Sequence, residues 1–393
     1  MHVLINAANV TGSGAETIAI NLLPVLLRVN DEFLYTLLLP DKPSYRSLSI
    51  NANAQVIYVS VGKGRMNNIK RIIQLYWGVP RLVKKIGADV CLTLGDIGPL
   101  KVSCPHVLFL QQALLLHSED ELKNFSVWSL PKRFYMQWHF ANSAKRAAAI
   151  IVQTPVMAEK VVERYSFPPH KIAVIPQPVP QNIVNYLDDF SPYNSIAQCK
   201  KRIKLLFLAS YYRNKNFEIL PAVACELRRR SLGNDVQIFI TLDETNDCSK
   251  QVRNEMNCFS DMITNLGPIP PQHIVRAFRS STALFLPTLS ESYGLIYLEA
   301  MVCGVPILTS DRNFSRWMCR EFAHYFNPLD PVSIVDTICN FVSRANNEEY
   351  KTSMAARLKE FPLDWETVAR PFLNVLRDSM QIPKCGVVNV DRL

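Results

Sequence analysis

Two carboxylates flank a glycine in Ser290-Glu291-Ser292-Tyr293-Gly294-Leu295-Ile296-Tyr297-Leu298-Glu299-Ala300-Met301. Apolar Leu284-Phe285-Leu286 precedes this run, and Gly304-Val305-Pro306 leads from it into Ile307-Leu308-Thr309. The unit therefore reads as strand, glycine turn, helix, strand. Its chemistry would be the recognition of anions and hydroxyls. Gly294 leaves room for a ligand beside the backbone, and the amides after it are the unpaired donors of a helix N-terminus, which stabilise a phosphate. Helical side chains lean toward the helix start, so Glu299 and Glu291 could face one ligand and accept from sugar or ribose hydroxyls. A bare pair of glutamates at this spacing recurs by chance on solvated helix faces. Here Glu299 falls inside the apolar run from Ile296 to Cys303, where a buried carboxylate needs a polar partner, and that favours a ligand.

The elements that must position these residues repeat along the chain. Strand Val3-Leu4-Ile5, the glycine turn Thr11-Gly12-Ser13-Gly14-Ala15-Glu16 and an apolar helix from Thr17 to Leu27 form a first βα unit. Strands expected at Tyr35 to Leu39, Val56 to Val59, Val90 to Leu94, Val107 to Leu110, Ala149 to Val152 and Ile172 to Ile175 then alternate with helical stretches. The scheme restarts at Lys204 to Leu208 and continues through Val236 to Ile240, Met262 to Leu266, Leu284 to Leu286 and Ile307 to Thr309. Such alternation predicts parallel sheets with helices on both faces, hence an α/β protein of two doubly wound, Rossmann-like domains. Pro176-Gln177-Pro178-Val179-Pro180 and a polar stretch to about Lys201 are rich in breakers. We expect a first domain over 1–180, a hinge over 181–201, a second domain over 202–364, and a terminal helix over 365–380.

The Glu291-to-Pro306 stretch resembles the E-x7-E signature of retaining glycosyltransferases of the GT-B fold, in particular family 4. The match combines both glutamates, the Gly-Leu after the first, the Glu-Ala-Met around the second and the Gly-Val-Pro before the next strand. Val174-Ile175-Pro176-Gln177-Pro178-Val179 is similar to the family's Ile-Pro-Asn-Pro-Val element, with Gln177 where asparagine is common. Ser210-Tyr211-Tyr212-Arg213-Asn214-Lys215-Asn216 is similar to its basic turn opening a helix. The resemblance spans nearly the whole chain and implies two domains facing a central cleft, with the helix at 365–380 crossing back to the first.

It also implies roles. Arg213 and Lys215 would hold a donor diphosphate, Glu291 the donor sugar hydroxyls, Glu299 the ribose, and Tyr293, Gly294 and Leu295 the surroundings of the phosphates. Gly12, Ser13 and Gly14 would cover those phosphates from the first domain. An R-x-K alone is ordinary surface charge; a strand directly before it gives this one a place where open α/β sheets bind ligands. No cofactor and no metal are expected, since the two cations and the helix amides would neutralise the leaving group, and Asp188-Asp189 in the hinge reads as a solvated pair. Many relatives carry a histidine at the end of a first-domain strand. Here Val107-Leu108-Phe109-Leu110 ends in Gln111-Gln112, with His106 and His117 at the wrong offset. Either Gln111 supplies the contact to the donor sugar, or the sugar differs, or Gln111 only fills space.

The formal charge is +9, with most of the excess in the first half. Lys63, Arg65, Lys70, Arg71, Arg81, Lys84 and Lys85 punctuate an apolar series that includes Ile69, Ile72, Ile73, Trp77 and Leu82, and Lys132-Arg133-Phe134-Tyr135-Met136-Gln137-Trp138-His139 is similar in character. Such segments could lie on an anionic membrane; the alternative is a pair of ordinary amphipathic helices. Nucleic acid is a poorer explanation, because no nucleic-acid-binding signature accompanies the charge. With no apolar stretch of spanning length and no signal-peptide pattern, a cytoplasmic location is expected, with peripheral contact at the inner face of the plasma membrane if the basic segments bind it. The scattered cysteines, among them Cys91, Cys104, Cys225, Cys303 and Cys339, read as buried free thiols.

The expected activity is transfer of a sugar from a GDP- or UDP-sugar, mannose mildly favoured, to a hydroxyl of a glycan or lipid-linked glycan in the synthesis of cell-surface polysaccharide or lipopolysaccharide. A GT-B nucleotide-sugar epimerase and a non-catalytic GT-B binding protein are the alternatives.

Overall fold

The computed structural model describes residues 1–30, 32–60, 62, 70–118, 121–122, 130–243, 247–342 and 348–381. Lys63, Arg65 and Ile69 of the basic segment lie outside the described residues.

The chain forms two compact units, one comprising residues 1–116, 130–176 and the C-terminal segment from Trp365, the other 117–129 and 177–364. In the first, seven strands run β1 His2–Asn6, β2 Leu34–Pro40, β3 Ala54–Val59, β4 Val90–Thr93, β5 His106–Phe109, β6 Ala149–Val152 and β7 Ile172–Val174. They lie in the order β3-β2-β1-β4-β5-β6-β7, all parallel. The central strands are buried along their length, as continuous Val/Leu/Ile runs covered on both faces must be. The helix Ser13–Val29 follows β1, and the terminal helix Trp365–Gln381 packs beside it. The chain thus returns to its first unit, where Phe372 meets Phe109 edge to face at 5.1 Å.

The second unit holds β8 Ile203–Phe207, β9 Val236–Ile240, β10 Ile263–Asn265, β11 Ala283–Leu286, β12 Ile307–Ser310 and β13 Ala323–Phe326. Their order is β10-β9-β8-β11-β12-β13, again parallel throughout. The edge strand β13 was not expected from sequence. Its middle residues His324 and Tyr325 are half-buried, so its four residues lack the apolar run that marks the others.

Residues 181–201, expected as a hinge, belong to the second unit. Ile183 and Ile196 are fully buried. The Val179 amide donates to the Pro362 carbonyl at 3.0 Å. Arg276 donates to the carbonyls of Ser191 and Pro192, and Arg279 to that of Asp189. A segment poor in periodicity is fixed here by side chains from elsewhere, which local pattern does not reveal. Asp189 likewise pairs with Arg276 at 3.8 Å and is not a purely solvated acid.

Candidate functional site

Both sheets change direction once. In the second unit the chain winds outward from β8 to β10 and restarts at β11 beside β8, so the loops after β8 and β11 meet at the carboxyl edge. Ligands of open α/β sheets bind at such switch points. The loop after β8 carries Arg213 and Lys215; the loop after β11 carries Glu291 and Gly294.

Three consecutive residues of the first loop clasp the second. Asn214 donates from Nδ2 to the Ser290 carbonyl at 2.7 Å, and its own carbonyl accepts the Leu289 amide at 2.7 Å. Lys215 Nζ donates to Glu291 Oε1 at 2.6 Å. Asn216 donates from Nδ2 to the carbonyls of Pro287 and Pro328 at 3.0 and 2.8 Å. Asn216 has φ +64°, a left-handed conformation that asparagine tolerates better than most residues. The Thr288 hydroxyl lies 3.0 Å from Glu291 Oε1. The expected pair Glu291 and Lys215 is therefore one ion pair, while Arg213 is exposed and makes no ion pair among the described residues.

Gly294 takes φ +83° as the residue before the helix Leu295–Val302. A Cβ there would lie 2.6 Å from the ring of Tyr297, which is fully buried and holds Thr309 through its hydroxyl at 2.8 Å. The chain's own backbone and packing thus demand glycine. The helix is apolar apart from Glu299 and the Tyr297 hydroxyl, and it buries Tyr297, Leu298, Ala300 and Met301. Glu299 is half-buried and its carboxylate makes no hydrogen bond or ion pair among the described residues, and burial raises its pKa from an ordinary 4.5 to about 7. Its carboxylate lacks the partner that a hydroxyl donor would supply.

The Tyr293 side chain is turned inward. Its ring is 2 % exposed against Trp317 and Phe361, and its hydroxyl donates to the Gln177 carbonyl at 2.7 Å. It anchors the loop from within the core and offers a ligand no side-chain group.

Glu299 makes stability depend on pH. Its folded pKa lies above its unfolded one, so it favours folding fully below about pH 4.5 and that contribution is lost as pH rises through 7, by about 3 kcal/mol. Between pH 5 and 8 the melting temperature of the second unit should fall more steeply in wild type than in Glu299→Gln. Parallel profiles in calorimetry would mean that Glu299 is not so perturbed.

In the first unit, Gly12 caps the helix Ser13–Val29 with ordinary φ, and Gly14 lies in its first turn. Neither would meet an atom within 4 Å on gaining a Cβ, so the chain's own packing does not require these glycines. The backbone of Ser13 opens the helix. The loop is held from outside by Tyr45, which donates to the Val10 carbonyl at 2.9 Å, and by Lys42, which reaches the Thr11 carbonyl and pairs with Glu16. Gln111 lies two residues beyond the end of β5, 8 % exposed.

Sequence reasoning missed Asn214, Asn216 and Thr288, whose value lies in carbonyls and carboxylates distant in sequence. It also gave His117 no role, yet its Nε2 lies 2.8 Å from the Ser290 hydroxyl, next to Glu291, and its Nδ1 3.2 Å from Glu121. Among the cysteines, Cys91 and Cys319 are buried as expected, but Cys225 and Cys258 are exposed, and the described thiols are free.

Comparison with known proteins gives these residues a context. Residues 12–182 match the family described as Glycosyltransferase Family 4, and residues 202–344 match Glycosyl transferases group 1. Curated relatives include a "D-inositol 3-phosphate glycosyltransferase" of Paenarthrobacter aurescens, 26 % identical over 42 % of this chain and 41 % of the relative. A protein of the same name from Pseudarthrobacter chlorophenolicus is 26 % identical over 55 % of this chain and 56 % of the relative. The chain's matches thus span about two-fifths to just over half the length of these relatives. Among solved structures, the sucrose-phosphate synthase from Thermosynechococcus elongatus superposes with a TM-score of 0.69 at 13 % identity, covering 96 % of this chain and 98 % of that one. The two parallel-sheet α/β domains match the GT-B fold.

Proposed function

We propose that this chain, which belongs to the group 1 and family 4 glycosyltransferases, moves a sugar from a nucleoside-diphosphate sugar to an acceptor hydroxyl with retention at the anomeric carbon. The observation that supports the reading is the second unit's carboxyl edge, where Lys215 pairs with Glu291 in the loops that precede the helix opened by Gly294, a helix that also carries the unpartnered carboxylate of Glu299. Arg213 and Lys215 counter the charge that grows on the departing diphosphate, and the amides after Gly294 stabilise its oxygens. Glu299 accepts from the ribose hydroxyls. Glu291 accepts from the donor sugar; with one oxygen already bonded to Lys215 and Thr288 it is not assigned as a nucleophile.

In the step itself the bond from the anomeric carbon to the phosphate oxygen breaks and one to the acceptor oxygen forms. The acceptor's proton passes to the leaving phosphate on the same face. These cations and amides balance the diphosphate without a metal. The epimerase alternative needs no acceptor, so product analysis in the absence of one separates it from transfer.

A thermal-shift screen with UDP, GDP, ADP and their sugars, with and without EDTA, tests the donor site. One nucleotide at a hundred times its dissociation constant should add about 2.7 kcal/mol, independent of EDTA, and Glu299→Ala should abolish the shift. No shift with any nucleotide would remove the reading in favour of a non-catalytic protein. The donor is a GDP- or UDP-sugar, with mannose favoured by the Lys215-Asn216 helix start.

For the acceptor we favour a glycan or lipid-linked glycan of cell-surface polysaccharide synthesis; the relatives' printed name adds a phosphorylated polyol as a second class. The lipid-linked reading rests on the first unit's surface. Ile73, Trp77, Phe134 and Trp138 are each at least half exposed, and exposed Lys84, Lys85 and Lys132 belong to the same two segments. Tyr76 and His139 join those segments at 3.0 Å. Arg133, expected among the surface cations, is only 5 % exposed. No helix among the described residues is long and apolar enough to cross a membrane, so contact would be peripheral, at the cytoplasmic face. Flotation with anionic vesicles should weaken with salt and fall on reversing Lys84, Lys85 and Lys132 to glutamate; flotation unmoved by that reversal would defeat membrane contact.

A further inference from the structure

Residues 117–129 stand in the sequence between two stretches of the first unit, yet they belong to the second. His117 is the first of them, and a reciprocal cap follows it directly. The Ser118 amide donates to Glu121 Oε2 at 2.7 Å, and the Glu121 amide donates to Ser118 Oγ at 3.2 Å, which is the pattern of a capping box. Leu122 comes next, its amide on the Ser118 carbonyl at 3.0 Å and its side chain fully buried. The cap commits one oxygen of Glu121, while the other, Oε1, lies 3.2 Å from His117 Nδ1. The second nitrogen of the same ring, Nε2, lies 2.8 Å from the Ser290 hydroxyl.

An ionised carboxylate accepts and never donates, so its place beside Nδ1 favours a proton on that nitrogen. In the neutral ring Nε2 is then the acceptor, and the Ser290 hydroxyl donates to it. The same order of groups activates the serine of nucleophilic hydrolases. Here Ser290 is 2 % exposed and His117 7 %, so the hydroxyl is covered and the relay acts on the loop that carries it. Asn214 Nδ2 holds the Ser290 carbonyl at 2.7 Å. Ser290 is thereby gripped by both backbone and side chain, directly before Glu291, whose carboxylate meets Lys215 and Thr288 at 2.6 and 3.0 Å. Glu291 is fixed at both ends. A carboxylate that must meet particular hydroxyls needs this, since a misplacement of about 1 Å costs on the order of a hundredfold in rate.

We propose that His117 is a positioning residue of the donor site: oriented by Glu121, it accepts the Ser290 hydroxyl and fixes the backbone from which Glu291 reaches the donor sugar. This rests on the sugar-transfer reading and adds to it a residue that neither the loop after β8 nor the loop after β11 supplies.

Calorimetric titration of the full chain with UDP against UDP-glucose, and with GDP against GDP-mannose, separates this role from a merely structural one. For the pair that wild type binds, His117→Phe and Ser290→Ala should each leave the nucleotide's dissociation constant within about twofold of wild type. Each should raise that of the nucleotide sugar about fivefold, equal to roughly 1 kcal/mol, because Glu291 serves the sugar and not the nucleotide. The two substitutions together should weaken it no further than either alone. His117→Gln, whose amide can reach the Ser290 hydroxyl, and Ser290→Thr, which keeps the hydroxyl, should restore the sugar's affinity. If His117→Phe fails to fold, Ser290→Ala and Ser290→Thr carry the comparison. Long-range proton–nitrogen correlation spectra at alkaline pH give an independent signature. The ring signal absent from His117→Phe should show the proton on Nδ1 in wild type and lose that preference in Glu121→Ala.

A nucleotide-sugar constant unchanged in both His117→Phe and Ser290→Ala would overturn the proposal, as would equal weakening of nucleotide and nucleotide sugar. So would a wild-type ring protonated on Nε2, or covalent labelling of Ser290 by a fluorophosphonate, the mark of a nucleophile. Wild type that binds no nucleotide or nucleotide sugar, with the Nδ1 proton in place, would remove the transfer reading and this role with it.

Discussion

Lys215→Met should lower turnover about a hundredfold, corresponding to roughly 3 kcal/mol of lost transition-state stabilisation. Two effects combine in that result. The substitution removes the cation proposed to face the leaving diphosphate. It also strands Glu291, whose side chain is 11 % exposed and bonded to Lys215 at 2.6 Å, as a nearly buried carboxylate without its counter-ion. Breaking one partner of such a pair is costlier than removing both. Glu291→Gln combined with Lys215→Met should therefore melt higher than Lys215→Met alone, while its activity stays low. A double-mutant cycle in melting temperature and turnover reads both quantities. Additive melting changes would mean that the pair contributes nothing to the fold, and turnover near wild type in Lys215→Met would remove the lysine from the chemistry.

Gly294→Ala should destabilise the second unit by about 2–5 kcal/mol, the sum of a left-handed backbone forced on a residue with a Cβ and of overpacking against a ring. The ring cannot yield easily. Tyr297 is fully buried, its hydroxyl bonds Thr309 at 2.8 Å, and the new Cβ would stand 2.6 Å from its Cδ2. Calorimetry should show the transition of this unit falling by roughly 10 °C, with nucleotide binding lost at temperatures where the chain remains folded. Gly14→Ala is the matched control. Its φ is not positive and no atom lies within 4 Å of the added carbon, so its melting temperature should stay within about 1 °C of wild type. Equal effects at the two glycines would show that the Gly294 turn is not strained.

Much of this arrangement was legible from residue order because the determining forces are local or periodic. Apolar runs such as Leu205 to Phe207 and Leu284 to Leu286 declare buried parallel strands, since only a strand covered on both faces is apolar at every position. A carboxylate inside Leu295–Val302 declares a polar demand within an apolar helix, and burial there raises its pKa. Where the local signal was weak, expectation and structure part. Ala323–Phe326 hides a strand behind a half-buried histidine and tyrosine, and the breaker-rich residues 181–201 hide a segment held by Arg276 and Arg279.

The sequence by itself determined the two-sheet parallel architecture, the strand–turn–helix frame around Gly294 and the identity of the charges near it. Periodicity, glycine geometry and buried charge act over a few residues and so leave a readable pattern. Only the tertiary structure decided that Lys215 pairs with Glu291, that the Tyr293 hydroxyl is committed to the Gln177 carbonyl, and that His117 meets the Ser290 hydroxyl. Those outcomes depend on which strand ends become neighbours, and strand order follows from long-range packing that no short run of residues encodes.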